Sequence, residues 1–298
     1  MSQIFDALHK SEANRRGFDL AGIATAPELL ESAERQRALG NTDSYHSDGG
    51  EQFLECSSTP ALCSPESKLV CATDGESLAA EKFRFLAVRL RHLQQTRHIA
   101  RLLITSSLPE EGKSTVAANM AISLASRGQQ KILLLDGDLR RPAQAKQFGL
   151  ERHPGLAELL QGEGSPATTI CRLENLGFWL LPAGSPPKEP LDLMQSEKLA
   201  LLFDQLSTWF NWIVIDSPPV LPLGDTSVWM RLSDATLLVA RPGTTQKREL
   251  LQTLSALDQT KLLGALMNGS LEAASSNYYH YYLKGRSPLP AGATQPQG

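Results

Sequence analysis

No apolar run in this sequence approaches the roughly 20 residues a helix needs to cross a bilayer. The start, MSQIFDALHKSEANRR, also lacks the charged-then-apolar order of a secretory leader. Neither a transmembrane segment nor export is expected, so the expectation is a cytoplasmic chain. Cysteine is scarce and poorly spaced for chemistry: Cys56, Cys63, Cys71 and Cys171 form no CxxC pair, and three of them sit in a polar stretch. That argues against a thiolate metal site and for free, reduced thiols. There is no long basic run either, and the net charge is −3. Neither nucleic acid nor an anionic membrane is favoured as a bulk electrostatic partner. Tyrosine is rare, yet of the five present only Tyr45 lies outside the stretch SSNYYHYYLKG.

The sequence does contain enough apolar material for one sizeable core, 41% of 298 residues. Residues 2–16 place Ile4, Phe5 and Leu8 close together on a helical wheel, which predicts a short amphipathic helix over 1–16. Such a helix docks on a partner or packs on its own core. The stretch 17–74 is rich in Ser, Gly, Glu, Gln and Thr and reads as a flexible linker. From residue 75 to 276 the pattern alternates strand-like apolar runs, such as RLLITSS, KILLLDGD, NWIVIDSPP and ATLLVARPG, with amphipathic helices. Nearly continuous apolar strands require helices on both sheet faces, so the fold class is α/β, a doubly wound, mostly parallel sheet. Residues 277–298 carry the tyrosines and a Pro/Gly-rich end, expected to form a mobile tail. An aromatic strand or packing patch is the alternative there.

The strand RLLIT is followed by SSLPEEGKST and then a helical pattern, the setting in which a phosphate-binding loop makes physical sense. Backbone N–H groups of such a loop and the following helix N-terminus surround phosphates. The candidate nucleotide-binding residues are Pro109, Glu110, Glu111, Gly112, Lys113, Ser114 and Thr115, with Lys113 reaching the β and γ oxygens. Ser107 stands where the general GxxxxGK[ST] pattern has its first glycine. Two further apolar runs, LLLDGDLRRP and WIVIDSPP, stop at aspartates where parallel strands reach a ligand crevice. Asp136, Asp138 and Asp216 are thereby candidates to surround one magnesium–phosphate group, with the Ser114 hydroxyl as a further metal ligand.

With SSLPEEGKST, LLLDGDLR and IVIDSPP in these positions, the sequence closely resembles the bacterial tyrosine kinases of capsule and exopolysaccharide synthesis, in stand-alone form, over roughly residues 78–285. GLAELLQG, LPAGSPPKEPLDLM and LLGALMNG extend the match. The resemblance implies a protein-tyrosine autokinase using ATP and Mg2+, with Lys113 stabilising the transferring phosphoryl group and Asp136 accepting the tyrosine proton. It implies that Ser114, Asp138 and Asp216 hold the metal and that Arg140 supports the site. Arg241 and Asn268 become candidates for adenine contacts. Tyr278, Tyr279, Tyr281 and Tyr282 become the phosphate acceptors, presented by a neighbouring copy. The implied partners are other copies of the chain and a membrane-embedded polysaccharide co-polymerase or chain-length regulator that recruits it to the inner membrane face.

The family's ExxRxxR subunit-contact motif is incomplete, since EKFRFLAVRLR supplies Glu81 and Arg84 but Ala87 at the third position. Arg91 returns to the face of Arg84 at 100° per residue and is the candidate substitute. A solvated charged face is the alternative. Two rival functions share the fold. A partitioning or division-site ATPase would carry a lysine five positions before Lys113, where Leu108 stands, and a basic amphipathic C-terminal helix that is not seen. A non-catalytic ATP-binding regulator would have no need of Lys113, Asp136, Asp138 and Asp216 together.

Overall fold

A computed structural model describes residues 56–64, 67–150, 153–222 and 224–269. The expected helix over 1–16, most of the expected linker and the tyrosine segment 277–298 lie outside the described residues. Among those described, no helix is long and apolar enough to cross a membrane.

The core is one sheet built from β1 (Ser57–Thr59), β2 (Arg101–Ser106), β3 (Ile132–Asp136), β4 (Cys171–Leu173), β5 (Phe178–Leu181), β6 (Trp212–Asp216), β7 (Ala235–Ala240) and β8 (Leu262–Met267). Their order is β1-β4-β5-β3-β6-β2-β7-β8, and the pairing is parallel except between β4 and β5. β3, β6 and β7 are buried along their whole length. The cause is helical cover on both faces. Successive residues of β2 alternate between two apolar clusters, Leu102 and Ile104 on one side and Leu103 on the other. The first cluster is closed by α2 (Leu78–Arg97) and α3 (Lys113–Ala125), the second by α5 (Leu156–Gln161), α8 (Glu197–Trp209) and α9 (Asp225–Leu232). The doubly wound, mostly parallel sheet read from the sequence is the fold observed.

The linker expected over 17–74 is corrected in its described part. β1 adds a parallel edge strand beside β4, and the main chain of Ala61 exchanges hydrogen bonds with the Asn175 side chain at 2.8 and 3.1 Å. Ala61 and Leu69 are buried. Asn119, itself buried on α3, donates to Lys68 O at 2.9 Å and accepts from the Cys71 N–H at 3.0 Å, where α1 (Val70–Thr73) begins. Ordering here comes from long-range side-chain bonds and two apolar anchors rather than from an apolar run.

The helix α2 starts at Ser77, whose hydroxyl accepts from the Ala80 N–H, and ends on His98 in the left-handed region. Glu81 and Arg84 pair with each other on its surface, and Arg84 also donates to Gly75 O at 2.6 Å. Ala87 is fully buried against the core, so an arginine has no room there. Arg91, the candidate substitute for subunit contact, is instead turned inward. Its Nη2 donates to Leu124 O at 2.7 Å and Ser123 O at 3.2 Å, satisfying the last carbonyls of α3. Arg91→Ala is therefore expected to lower stability by about 1–2 kcal/mol in thermal unfolding, with no change in sedimentation. Loss of self-association at an unchanged melting temperature would return Arg91 to the subunit interface.

Candidate active site

The three central strands end at one edge of the sheet and carry the site there. β6 lies between β3 and β2, and Asp136 at the end of β3 is the register partner of Asp216 at the end of β6. β2 runs into the loop 107–112, which turns into α3. Gly112 makes that turn at φ +92°, and a side chain there would run into Asn268 Nδ2. Only glycine meets both demands. Glu111 is buried within the loop, its carboxylate accepting from the Leu108 N–H at 2.9 Å and bonded to the Thr245 hydroxyl.

Lys113 reaches across from the start of α3 to the strand ends. Its Nζ is 3.0 Å from Asp138 Oδ2 and 3.8 Å from Asp216 Oδ1. Burial alone would lower its pKa, but the carboxylates of Asp216, Asp138 and Asp136 outweigh burial and hold the ammonium charged. Asp136 is inaccessible to solvent. Its Oδ2 accepts from the Ala143 and Gln144 N–H groups, both at 2.9 Å, and its Oδ1 from the Asp138 N–H at 3.3 Å. Burial and then the Asp216 charge push its pKa up to about 7, against the stabilising pull of those backbone donors. Burial also raises Asp216, which Lys113, Ser114 and Gln144 oppose. Three acidic side chains against one lysine make this a cluster suited to cationic company.

The donor set fits magnesium. Ser114, Asp138 and Asp216 supply hard oxygens, and Asp216 Oδ1 is buried without a hydrogen-bond partner among the described residues. Among the described residues no three His, Cys, Asp or Glu side chains converge into a closed metal cage. A magnesium ion binds through one or two carboxylates, keeps several waters and takes the rest of its shell from substrate phosphate.

Arg140 does not touch the three aspartates by hydrogen bond. It grips Asp225 with two, Nε to Oδ2 at 2.6 Å and Nη2 to Oδ1 at 3.2 Å. Asp225 opens α9, which holds both strand-end loops: buried Trp229 donates to Gly137 O at 3.1 Å, and Thr226 donates to Pro218 O at 2.9 Å. Gly137 is needed here because a Cβ would sit 2.7 Å from the Trp229 ring. Arg241 and Asn268, expected to face adenine, both reach the phosphate-binding loop, donating to Glu110 O at 3.4 Å and Glu111 O at 3.0 Å. The sequence reading missed Gln144, Asp225 and Thr245. The side-chain bonds to Ser114, Arg140 and Glu111 that tie them to the site span 30 to 134 positions, and no local pattern marks them.

No protein-family model matches the chain. Individual proteins do. Tyrosine-protein kinase YwqD of Bacillus subtilis is 31% identical over 218 residues, which is 72% of this chain and 92% of YwqD. Tyrosine-protein kinase ptk of Acinetobacter johnsonii is 31% identical over 212 residues, 70% of this chain but only 29% of the longer ptk. Among solved structures, the kinase domain of the Escherichia coli tyrosine kinase ETK superposes with a TM-score of 0.66 at 25% identity, covering 74% of this chain and 91% of that domain.

Proposed function

The chain belongs to the bacterial tyrosine-kinase family and is a protein-tyrosine kinase, and on that premise we propose that it transfers the γ-phosphoryl group of Mg-ATP to Tyr278, Tyr279, Tyr281 and Tyr282 of a neighbouring copy. The observation that carries this is the convergence of Lys113, Asp136, Asp138 and Asp216 at adjacent strand ends beside a phosphate-binding loop. Phosphoryl transfer asks a protein for alignment and charge neutralisation rather than covalent help. The loop N–H groups from Glu110 to Thr115 hold the phosphate chain at the N-terminus of α3, with Pro109 shaping the turn before them. Lys113 swings its charge from Asp138 and Asp216 onto the β and γ oxygens. Ser114, Asp138 and Asp216 would hold the magnesium ion, which when bound would neutralise phosphate charge. Asp136, with a pKa poised near neutrality, takes the proton of the attacking tyrosine hydroxyl. Arg140, fixed by Asp225, keeps a positive charge beside Asp138.

Four acceptors within five residues would each gain about −1.5 to −2 charge on phosphorylation. The modified segment would then be repelled by the acidic strand ends and leave the site, loosening contacts between copies. In this reading the cycle of attachment and release regulates polysaccharide polymerisation and export through a membrane-embedded co-polymerase or chain-length regulator. The family resemblance supports that partner.

The test is to change the four tyrosines to phenylalanine, incubate with Mg-ATP with and without membranes carrying the co-polymerase, and map phosphosites by mass spectrometry. Loss of nearly all phosphotyrosine is expected. If phosphotyrosine persists mainly at Tyr45, the acceptor assignment fails. If added membranes change neither rate nor extent, the proposed partner is not the regulator.

A further inference from the structure

One fully buried polar residue outside the motifs bonds to three residues of the site. Gln144 lies at the start of α4 (Gln144–Gln147). Its N–H donates to Asp136 Oδ2 at 2.9 Å, and its side-chain Nε2 donates to Asp216 Oδ2 at 2.8 Å and to Ser114 O at 3.0 Å. One residue thus ties together the ends of β3 and β6 and the first turn of α3.

Chemistry fixes which way this amide points. The atom that faces a backbone carbonyl and a carboxylate oxygen at hydrogen-bond distance must be the nitrogen, because an oxygen there would be repelled by both. Oε1 is then left as a pure acceptor. It is buried and has no hydrogen-bond partner among the described residues, and the same holds for Asp216 Oδ1. A buried acceptor without a donor loses its hydration with nothing in exchange, and here two such oxygens belong to side chains bonded to each other. Lys113 Nζ is 3.8 Å from Asp216 Oδ1, too far to serve it as a hydrogen-bond donor. Both oxygens call for donors, and the oxygens around them belong to the set that fits magnesium. A cation that dehydrates reluctantly brings such donors with it, as the O–H groups of its bound waters.

We propose that Gln144 is a positioning residue for the metal. Its Nε2 pins Asp216 Oδ2 so that Oδ1 faces the cation, and its Oε1 accepts a hydrogen bond from a water that the cation carries. This deepens the function proposed above and rests on its magnesium–nucleotide site. Side chains that orient metal ligands from behind typically change metal affinity by about 10–100-fold when removed.

Gln144→Met keeps the length and removes both polar atoms. The measurement is the affinity for a fluorescent ADP analogue in EDTA and in saturating Mg2+, with Mn2+ binding to the ADP-loaded protein followed by electron paramagnetic resonance. The wild-type chain is expected to bind the analogue more tightly with Mg2+. In the variant, affinity in EDTA should stay within about twofold, while Mn2+ affinity should fall about 10–100-fold and the Mg2+ enhancement should shrink with it. Gln144→Asn, which keeps the amide but is one methylene too short to bridge Ser114 and Asp216, should show the same selective loss and serves if the methionine variant does not fold. Equal loss in EDTA and in Mg2+ would make Gln144 a structural residue only, and unchanged Mn2+ affinity in the folded variants would overturn the proposal outright. If the wild-type chain itself shows no metal enhancement, the underlying magnesium site fails rather than the role of Gln144 within it.

Discussion

Lys113→Met is expected to abolish phosphotyrosine formation, by at least about 10^3-fold, while leaving the far-UV dichroism unchanged. One preorganised donor aimed at developing charge is typically worth about 10^2–10^3 in rate, and Lys113 adds a full charge to its hydrogen bond. The structure explains why the loss should not be confused with unfolding. The Nζ contacts Asp138 at 3.0 Å and Asp216 at 3.8 Å at the rim of a sheet whose neighbouring strands are buried along their length. Removing it takes the lysine from a group of buried carboxylates, and these respond by holding protons to higher pH rather than by disrupting β3 or β6. The variant should therefore lose stability more at pH 8 than at pH 5, where protonation makes good the missing charge. A blot against phosphotyrosine with thermal unfolding at the two pH values checks both statements. Wild-type phosphorylation in the variant would sink the site assignment.

The residues that were legible in the sequence share one property, that each ends an apolar run or belongs to the segment that follows one. Lys113, Asp136, Asp138 and Asp216 are marked by the end of a buried strand, and the alternation of strands and helices alone implied the parallel sheet that brings those ends together. What the sequence hid depends on distance along the chain. Asp225 looks like any acidic residue opening a helix, yet it is buried because Arg140, 85 positions earlier, folds over it. Gln144 sits in a polar stretch and is hidden by the way α4 tucks under α3. β1 and β4 have three residues each, too few to show any period, and Ser57–Thr59 contains no apolar residue at all. Ala87 was legible only as a departure from a family motif. Burial against the core shows that position to be a packing site in this chain.

Asp136→Asn should separate binding from transfer. The Oδ2 atom of Asp136 is committed to the Ala143 and Gln144 N–H groups, while Oδ1 holds only the long 3.3 Å contact from the Asp138 N–H, so Oδ1 is the atom with capacity to take a proton. An asparagine can keep its oxygen on the two backbone donors and place its NH2 where Oδ1 stood, giving up only the long contact from the Asp138 N–H and accepting nothing from a tyrosine hydroxyl. Nucleotide affinity should therefore stay within about twofold, and transfer should fall by about 10^2–10^4, the usual range for loss of a general base. Equal loss of nucleotide binding would instead make Asp136 a structural or metal-holding group. The pH dependence of stability gives an independent check in metal-free protein. The folded-state pKa is raised from 3.8 to about 7, so between those values the folded chain holds a proton that the unfolded chain has released. Stability from this group is thus fully present below pH 4 and is lost as pH rises through 7. In EDTA the melting temperature of the wild-type chain should fall from pH 5 to pH 8, and the asparagine variant, with nothing to titrate at this position, should fall less steeply. Parallel curves would place the raised proton affinity on Asp216 instead, and with it the capacity to accept the tyrosine proton.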